Sequence, residues 1–122
     1  DAGMYGRLMV PYNYAAVTAA CLVVSKEKYL SVGGLEEDLK VAYNDVDFNL
    51  KLLEKGLYNV VTPQVMLYHF ESKTRGFDTT PEKYELFKKE QNYMFNKWGK
   101  IIADDPFYNK HFSKQISFKL KK

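Results

Sequence analysis

Between Asn44 and Gly56 the chain carries a complete set of helix signals, and these limit what the rest of it can fold into. Val46, Leu50, Leu53 and Leu57 recur at i, i+4, i+7 and i+11, one stripe of a 3.6-residue period, and Leu52 widens the stripe. Asn44 is the expected N-cap, with Asp45 and Asp47 in the electropositive first turn. Lys55 stands in the last turn and Gly56 supplies the stop. A helix with a single apolar stripe must lay it against something, and a second helix is signalled further on. Thr80-Pro81 opens it, the hydroxyl as cap and Pro at the first helical position. Tyr84, Phe87, Met94 and Trp98 lie on one side, and Gly99 is expected to end it.

Strands are scarcer. Residues 1–14 have no clear period and read as loop, whereas Val17 to Val24 is a short apolar run that predicts a buried strand, with Cys21 an inert thiol inside it. Ser25 caps a brief helix, Lys26 to Val32, which Gly33-Gly34 end with left-handed backbone. An acidic loop, Leu35 to Tyr43, leads into the central helix. Tyr58 to Thr62 predicts a strand broken by Pro63, and Val65 to Phe70 alternates, with Val65, Leu67 and His69 on one side. Residues Glu71 to Thr79 form a polar loop, and the part beyond Gly99 reads as irregular tail. Strand, helix, helix, strand, strand, helix is an α/β order, but it holds too few strands for a self-contained doubly wound sheet. The remainder of such a sheet is expected outside this chain.

Composition narrows the function classes. At 122 residues the chain suits one domain, in which roughly two-thirds of the surface is buried on folding. The longest mostly apolar run without charge, Leu8 to Val24, is interrupted by Pro11 and holds Tyr12, Asn13 and Thr18, so no transmembrane helix is expected. The opening Asp1-Ala2-Gly3 lacks both an initiator Met and a basic-then-apolar secretory start, which predicts an excised piece of a longer, cytoplasmic protein. One cysteine excludes an internal disulfide and a cysteine-only zinc site. Sixteen of the eighteen basic residues are Lys, whereas base and phosphate recognition favour Arg, so nucleic acid is not an expected partner. From Pro106 to Lys122 there is no Asp or Glu, and Lys110, Lys114, Lys119, Lys121 and Lys122 are all basic. Such a tail is either a solvated terminus or a contact with anionic lipid headgroups.

Two places could carry chemistry. At Asn44-Asp45-Val46-Asp47 the structural explanation is sufficient by itself, since carboxylates complement a helix N-terminus and Asp47 stands where a capping box has its reciprocal partner. The functional reading makes Asp45 a general base, kept ionised by that same N-terminus. Asp45 and Asp47 also spell Asp-x-Asp, but a metal–diphosphate pair of this kind normally ends an apolar strand, so it is rejected as the main metal site. His69 is either a hydrogen-bonded structural residue or one imidazole ligand to a divalent metal that needs further partners. Directly after it, Glu71-Ser72-Lys73-Thr74-Arg75-Gly76 offers hydroxyls, cations and a flexible Gly, suited to a diphosphate and equally ordinary for a surface loop. The chain has no Gly-x-Gly-x-x-Gly, phosphate-binding loop or serine nucleophile elbow.

In order, Val17 to Val24, Val32-Gly33-Gly34-Leu35-Glu36-Glu37, Tyr43-Asn44-Asp45-Val46-Asp47-Phe48, Gly56, Thr62-Pro63 and Tyr68 to Gly76 resemble the C-terminal half of a family 2 glycosyltransferase of the GT-A fold, the group that includes bacterial rhamnosyltransferase-like enzymes. Asp105-Pro106-Phe107-Tyr108-Asn109 resembles a tail motif of the same group. The resemblance implies a partial GT-A fold, with residues 1–80 as the acceptor-side, catalytic-base part and 81–122 as C-terminal helix and basic tail. It implies Asp45 as catalytic base, His69 as a metal residue, and Asn44, Asp47, Ser72, Thr74 and Arg75 near donor or acceptor. It further implies a nucleotide-sugar donor, a glycan or lipid-linked acceptor, and Mn or Mg in the full-length enzyme. Two positions depart from the pattern: Asn44 replaces the commoner Glu, and Ala20 stands where Gly is frequent. The nucleotide-binding half is expected to precede residue 1, so this piece alone is expected to be inactive, without a bound metal, and prone to self-association. The competing class is a non-catalytic α/β module that binds glycan or a protein partner.

Overall fold

The computed structural model describes residues 4–69, 80–115 and 119–121. A 3-10 turn, Met4–Met9, leads into strand β1, Tyr12–Tyr14. After a second 3-10 turn at Ala19–Cys21 come helix α1, Lys26–Ser31, and helix α2, Asn44–Glu54. Strand β2, Asn59–Val61, and the long helix α3, Pro81–Ala103, complete the regular elements among the described residues. β1 and β2 form an antiparallel two-stranded sheet with Tyr12 opposite Val61 and Tyr14 opposite Asn59. The class is therefore mixed helix and sheet.

Both shorter helices end as the glycines require. Gly33 and Gly34 have φ of +77° and +69°, and their amides return to Leu30 and Tyr29 carbonyls. At the end of α2, Gly56 at φ +76° lets its own amide reach Leu53 and the Leu57 amide reach Leu52. This paired pattern consumes carbonyls that would otherwise be orphaned at the helix end. Ser25 and Thr80 cap α1 and α3 by accepting the amides of Lys28 and Lys83.

The core is where α2 and α3 meet. Leu50 on α2, Met94 and Trp98 on α3, and Leu39 from the acidic loop are buried together, with Tyr43, Val46, Leu53, Tyr93 and Ile101 packed around them. Full burial of one such side chain contributes about 1.5–3 kcal/mol. Among the described residues four polar side chains are buried as well: Asp47, Asn49, Asn59 and Glu90.

Several expectations are corrected. Val17 to Val24 is not a buried strand: Ala19, Ala20 and Cys21 form the 3-10 turn, all three are exposed, and Val23 is 96% exposed. The Thr18 hydroxyl caps that turn, the Asp45 carboxylate takes the Ala19 amide, and no strand lies beside the segment among the described residues. Cys21 is consequently an exposed free thiol. The strand lies instead at Tyr12–Tyr14, inside the stretch read as loop. Val65 to His69 is exposed and makes no strand, because alternation without a neighbouring ladder has no partner for its amides; Phe70 lies outside the described residues. Gly99 does not stop α3, which continues to Ala103 because Ile101 still reaches the core. That packing outweighs the roughly 1 kcal/mol that glycine costs inside a helix. In the tail, Phe112 and Leu120 pair in an antiparallel bridge.

Candidate active site

Three residues at the start of α2 point three ways. Asn44 is the first helical residue and not the cap; that position belongs to Tyr43, in left-handed backbone at φ 63°. Its side chain instead fastens the acidic loop, accepting the Glu36 amide at 3.0 Å and donating to the carbonyls of Glu36 and Leu39, each at 2.8 Å. These three bonds satisfy backbone groups of the loop that would otherwise have to find partners in water.

Asp45 is half-buried, and its carboxylate faces the 3-10 turn. Oδ2 accepts the Ala19 amide at 3.0 Å and Oδ1 accepts the Val46 amide at 2.9 Å. A carboxylate has about four acceptor sites, so two bonds leave lone pairs for a further proton donor. The turn is brought there by two asparagines that periodicity analysis does not flag. Asn49 Nδ2 donates to the carbonyls of Val17 and Asp45, and Asn59 Nδ2 to those of Ala15 and Asn49. Asn49 and Asn59 thus stitch the segment from 15 to 17 along α2 and place Ala19 against Asp45. Their legible signal was a polar residue amid an apolar stretch, at one helical turn from Asp45 and at a strand start.

Asp47 points inward and has no exposed surface. Its Oδ1 receives the Trp98 indole N–H at 2.7 Å and the Lys97 ammonium at 2.8 Å, while Lys51 lies 3.3 Å from Oδ2. Burial works against ionisation of this carboxylate, but the bonds from Lys97 and Trp98 and the charges of Lys97 and Lys51 outweigh it and hold its pKa below the ordinary value. Tyr93 and Glu36 extend the group. The Tyr93 hydroxyl donates to Glu36 Oε2 at 3.0 Å and accepts from Lys97 at 3.1 Å. That hydroxyl, chiefly, draws the Glu36 pKa down.

Glu90, like Asn49 and Asn59, is a residue that the sequence does not flag. Its carboxylate accepts three consecutive backbone amides, Lys40 at 2.7 Å, Val41 at 2.8 Å and Ala42 at 2.6 Å, and the residue is 2% exposed. Nothing local marks it, since its partners are 48 to 50 positions away.

The other expected site residues do not join this cluster. His69 is exposed, in the segment that forms no strand. Ser72, Thr74 and Arg75 lie outside the described residues. Among the described residues no group of three or more His, Cys, Asp or Glu side chains could hold a metal ion, so His69 offers a single imidazole. Chemically, the described cluster can hold one carboxylate at a helix start, with free acceptor capacity, on a scaffold fixed from behind. No helix among the described residues is long and apolar enough to cross a membrane.

No family model matches the chain, and no solved structure matches it. It is 48% identical over 109 residues to the uncharacterized protein y4gI of Sinorhizobium fredii, covering 88% of this chain and 12% of that protein. It is 35% identical over 102 residues to the O-antigen biosynthesis protein RfbC of Myxococcus xanthus, covering 83% of this chain and 8% of that protein. The chain thus spans about an eighth or less of the length of the curated relatives it matches.

Proposed function

We propose that this chain is the acceptor-side, catalytic-base part of a GT-A glycosyltransferase of family 2. The reaction moves a sugar from a nucleotide-sugar donor to a glycan or lipid-linked acceptor, with inversion, in cell-surface polysaccharide synthesis at the cytoplasmic face of the membrane. The observation that carries the reading is the Asp45 carboxylate, half-buried at the start of α2 and anchored by two backbone amides with acceptor capacity to spare. The likeness to a protein named for O-antigen biosynthesis supports it.

In this reading Asp45 takes the proton of the acceptor hydroxyl as that oxygen bonds to the anomeric carbon, and the bond to the nucleoside diphosphate breaks with its electron pair on the leaving oxygen. Ser72, Thr74 and Arg75 serve the donor side, and Asn44 serves by holding the acidic loop through its bonds to Glu36 and Leu39. Asp47, fully buried, serves by holding α2 in place. A divalent metal, Mn or Mg, belongs to the reading through the resemblance, with His69 contributing to it; no step is assigned to the metal. The basic tail is read as a peripheral contact with anionic headgroups.

The test is Asp45→Asn in the full-length protein, with sugar transfer to a lipid-linked acceptor as the readout. Loss of turnover in a folded variant is expected. Undiminished turnover removes Asp45 as base and leaves the non-catalytic binding module as the better reading.

A further inference from the structure

Helix α3 grips the approach to Asp45 at two successive points on one face. The Phe87 ring packs against that of Tyr43, with centroids 5.4 Å apart, and one turn later Glu90 receives the amides of Lys40, Val41 and Ala42. These three amides run straight into Tyr43, whose left-handed φ of 63° redirects the chain into α2. The Tyr43 carbonyl then accepts the Asp47 amide at 2.8 Å, the first bond of the helix. Each residue between the Glu90 clamp and Asp45 therefore has its own anchor: residues 40 to 42 the carboxylate, Tyr43 its ring contact, and Asn44 its bonds to Glu36 and Leu39.

We propose that Glu90 is the positioning residue for Asp45: by collecting three adjacent loop amides it sets where α2 begins and hence where the Asp45 carboxylate meets the Ala19 amide. A carboxylate is required because both of its oxygens are used, Oε1 by Lys40 and Val41 and Oε2 by Ala42. Glutamine has one acceptor oxygen and would turn an N–H toward a backbone N–H, so Glu90→Gln keeps the volume and breaks the two-oxygen clamp, leaving at least one of the three amides facing a donor. A left-handed Tyr43 is uphill by itself, and it persists where the surroundings over-determine it. The role of Asp45 as base comes from the proposed function, on which the catalytic meaning of this inference rests; the positioning claim stands on the bonds alone.

The experiment uses NMR on the 122-residue chain, which requires no donor or acceptor. In Glu90→Gln the Ala19 amide and the Asp45 carboxyl carbon are expected to shift, with amide exchange at Lys40, Val41 and Ala42 faster by about tenfold to a hundredfold. Met94→Ala, one turn along the same face, is the control: it loosens the core around Leu39 and Tyr43 but removes none of the three Glu90 bonds, so the Ala19 and Asp45 signals should move less than in Glu90→Gln. If Glu90→Gln leaves those two signals where they are, or moves them no more than Met94→Ala does, the proposal is overturned. Should Glu90→Gln not fold, exchange in the unaltered chain decides, with slow exchange at all three amides supporting the clamp and unprotected exchange overturning it. Failure here leaves the Asp45→Asn transfer result untouched, and a transferase-competent Asp45→Asn would overturn the base assignment without bearing on the Glu90→Gln result.

Discussion

The indole N–H of Trp98 donates to Oδ1 of Asp47 at 2.7 Å, across 51 positions of sequence. One bond thus fixes the first turn of α2 to the last third of α3, inside a core that offers Asp47 no water. Lys97, the neighbour of Trp98, supplies the compensating charge to the same oxygen. Asp45, two residues before, is left to face outward because Asp47 faces in.

Trp98→Phe should therefore destabilise the chain by about 2–4 kcal/mol, the lost indole volume adding to a buried carboxylate short of a donor. Urea unfolding followed by circular dichroism measures this. A loss below about 1 kcal/mol would mean that the Asp47 carboxylate is satisfied without the indole.

Acid should act through the same carboxylate. The native Asp47 pKa lies below its unfolded value, so its stabilising contribution is complete above about pH 4 and is lost as pH falls through the lower native value. Glu36, lowered by the Tyr93 hydroxyl, contributes in the same direction. Lys97→Met removes the nearest counter-charge and should move the acid unfolding midpoint to higher pH. Melting temperatures between pH 2 and 7 for both proteins would show it; coincident curves would exclude the pair as a source of acid sensitivity.

Asp45→Asn should behave differently from any change at Asp47. Asparagine keeps one acceptor oxygen and gives up one of the two backbone amides that Asp45 holds, at a partly solvated site, so stability should fall by only about 1 kcal/mol. Transfer by the full-length protein should fall by about 10²–10⁴, the usual worth of a general base. Thermal melts beside turnover separate the two effects.

Asn49→Asp should weaken the stitching of the segment next to Asp45. The new carboxylate would face the carbonyls of Val17 and Asp45 in place of the amide that donates to them, at about 2–4 kcal/mol. Denaturant unfolding gives the magnitude. Faster exchange of the Ala19 amide would give the location.

Gly33 and Gly34 make a matched pair. Both need positive φ, but a Cβ at Gly33 meets nothing within 4 Å, whereas at Gly34 it would lie 2.7 Å from the Tyr29 hydroxyl oxygen. Gly33→Ala should cost about 1 kcal/mol of backbone strain, and Gly34→Ala distinctly more as the Tyr29 ring is displaced. Equal losses in parallel melts would show that the ring yields freely.

Local signals determined much of this chain by themselves. The caps at Ser25 and Thr80, the left-handed stops at Gly33 and Gly56, and the stripe through Leu50 are set by chemistry within a few residues, so a single sequence displays them. The tertiary structure decided what distant residues do to one another. Val17 to Val24 looks like a strand, but a strand exists only with a partner, and here Asp45 and Asn49 claim its neighbourhood first. Gly99 looks like a stop, yet Ile101 finds the core beyond it. The carboxylates of Asp47 and Glu90 were indistinguishable by residue type from surface acids. Only the approach of α3 to α2 buried them, and a buried charge must then take its partners from whatever the fold brings within 3 Å.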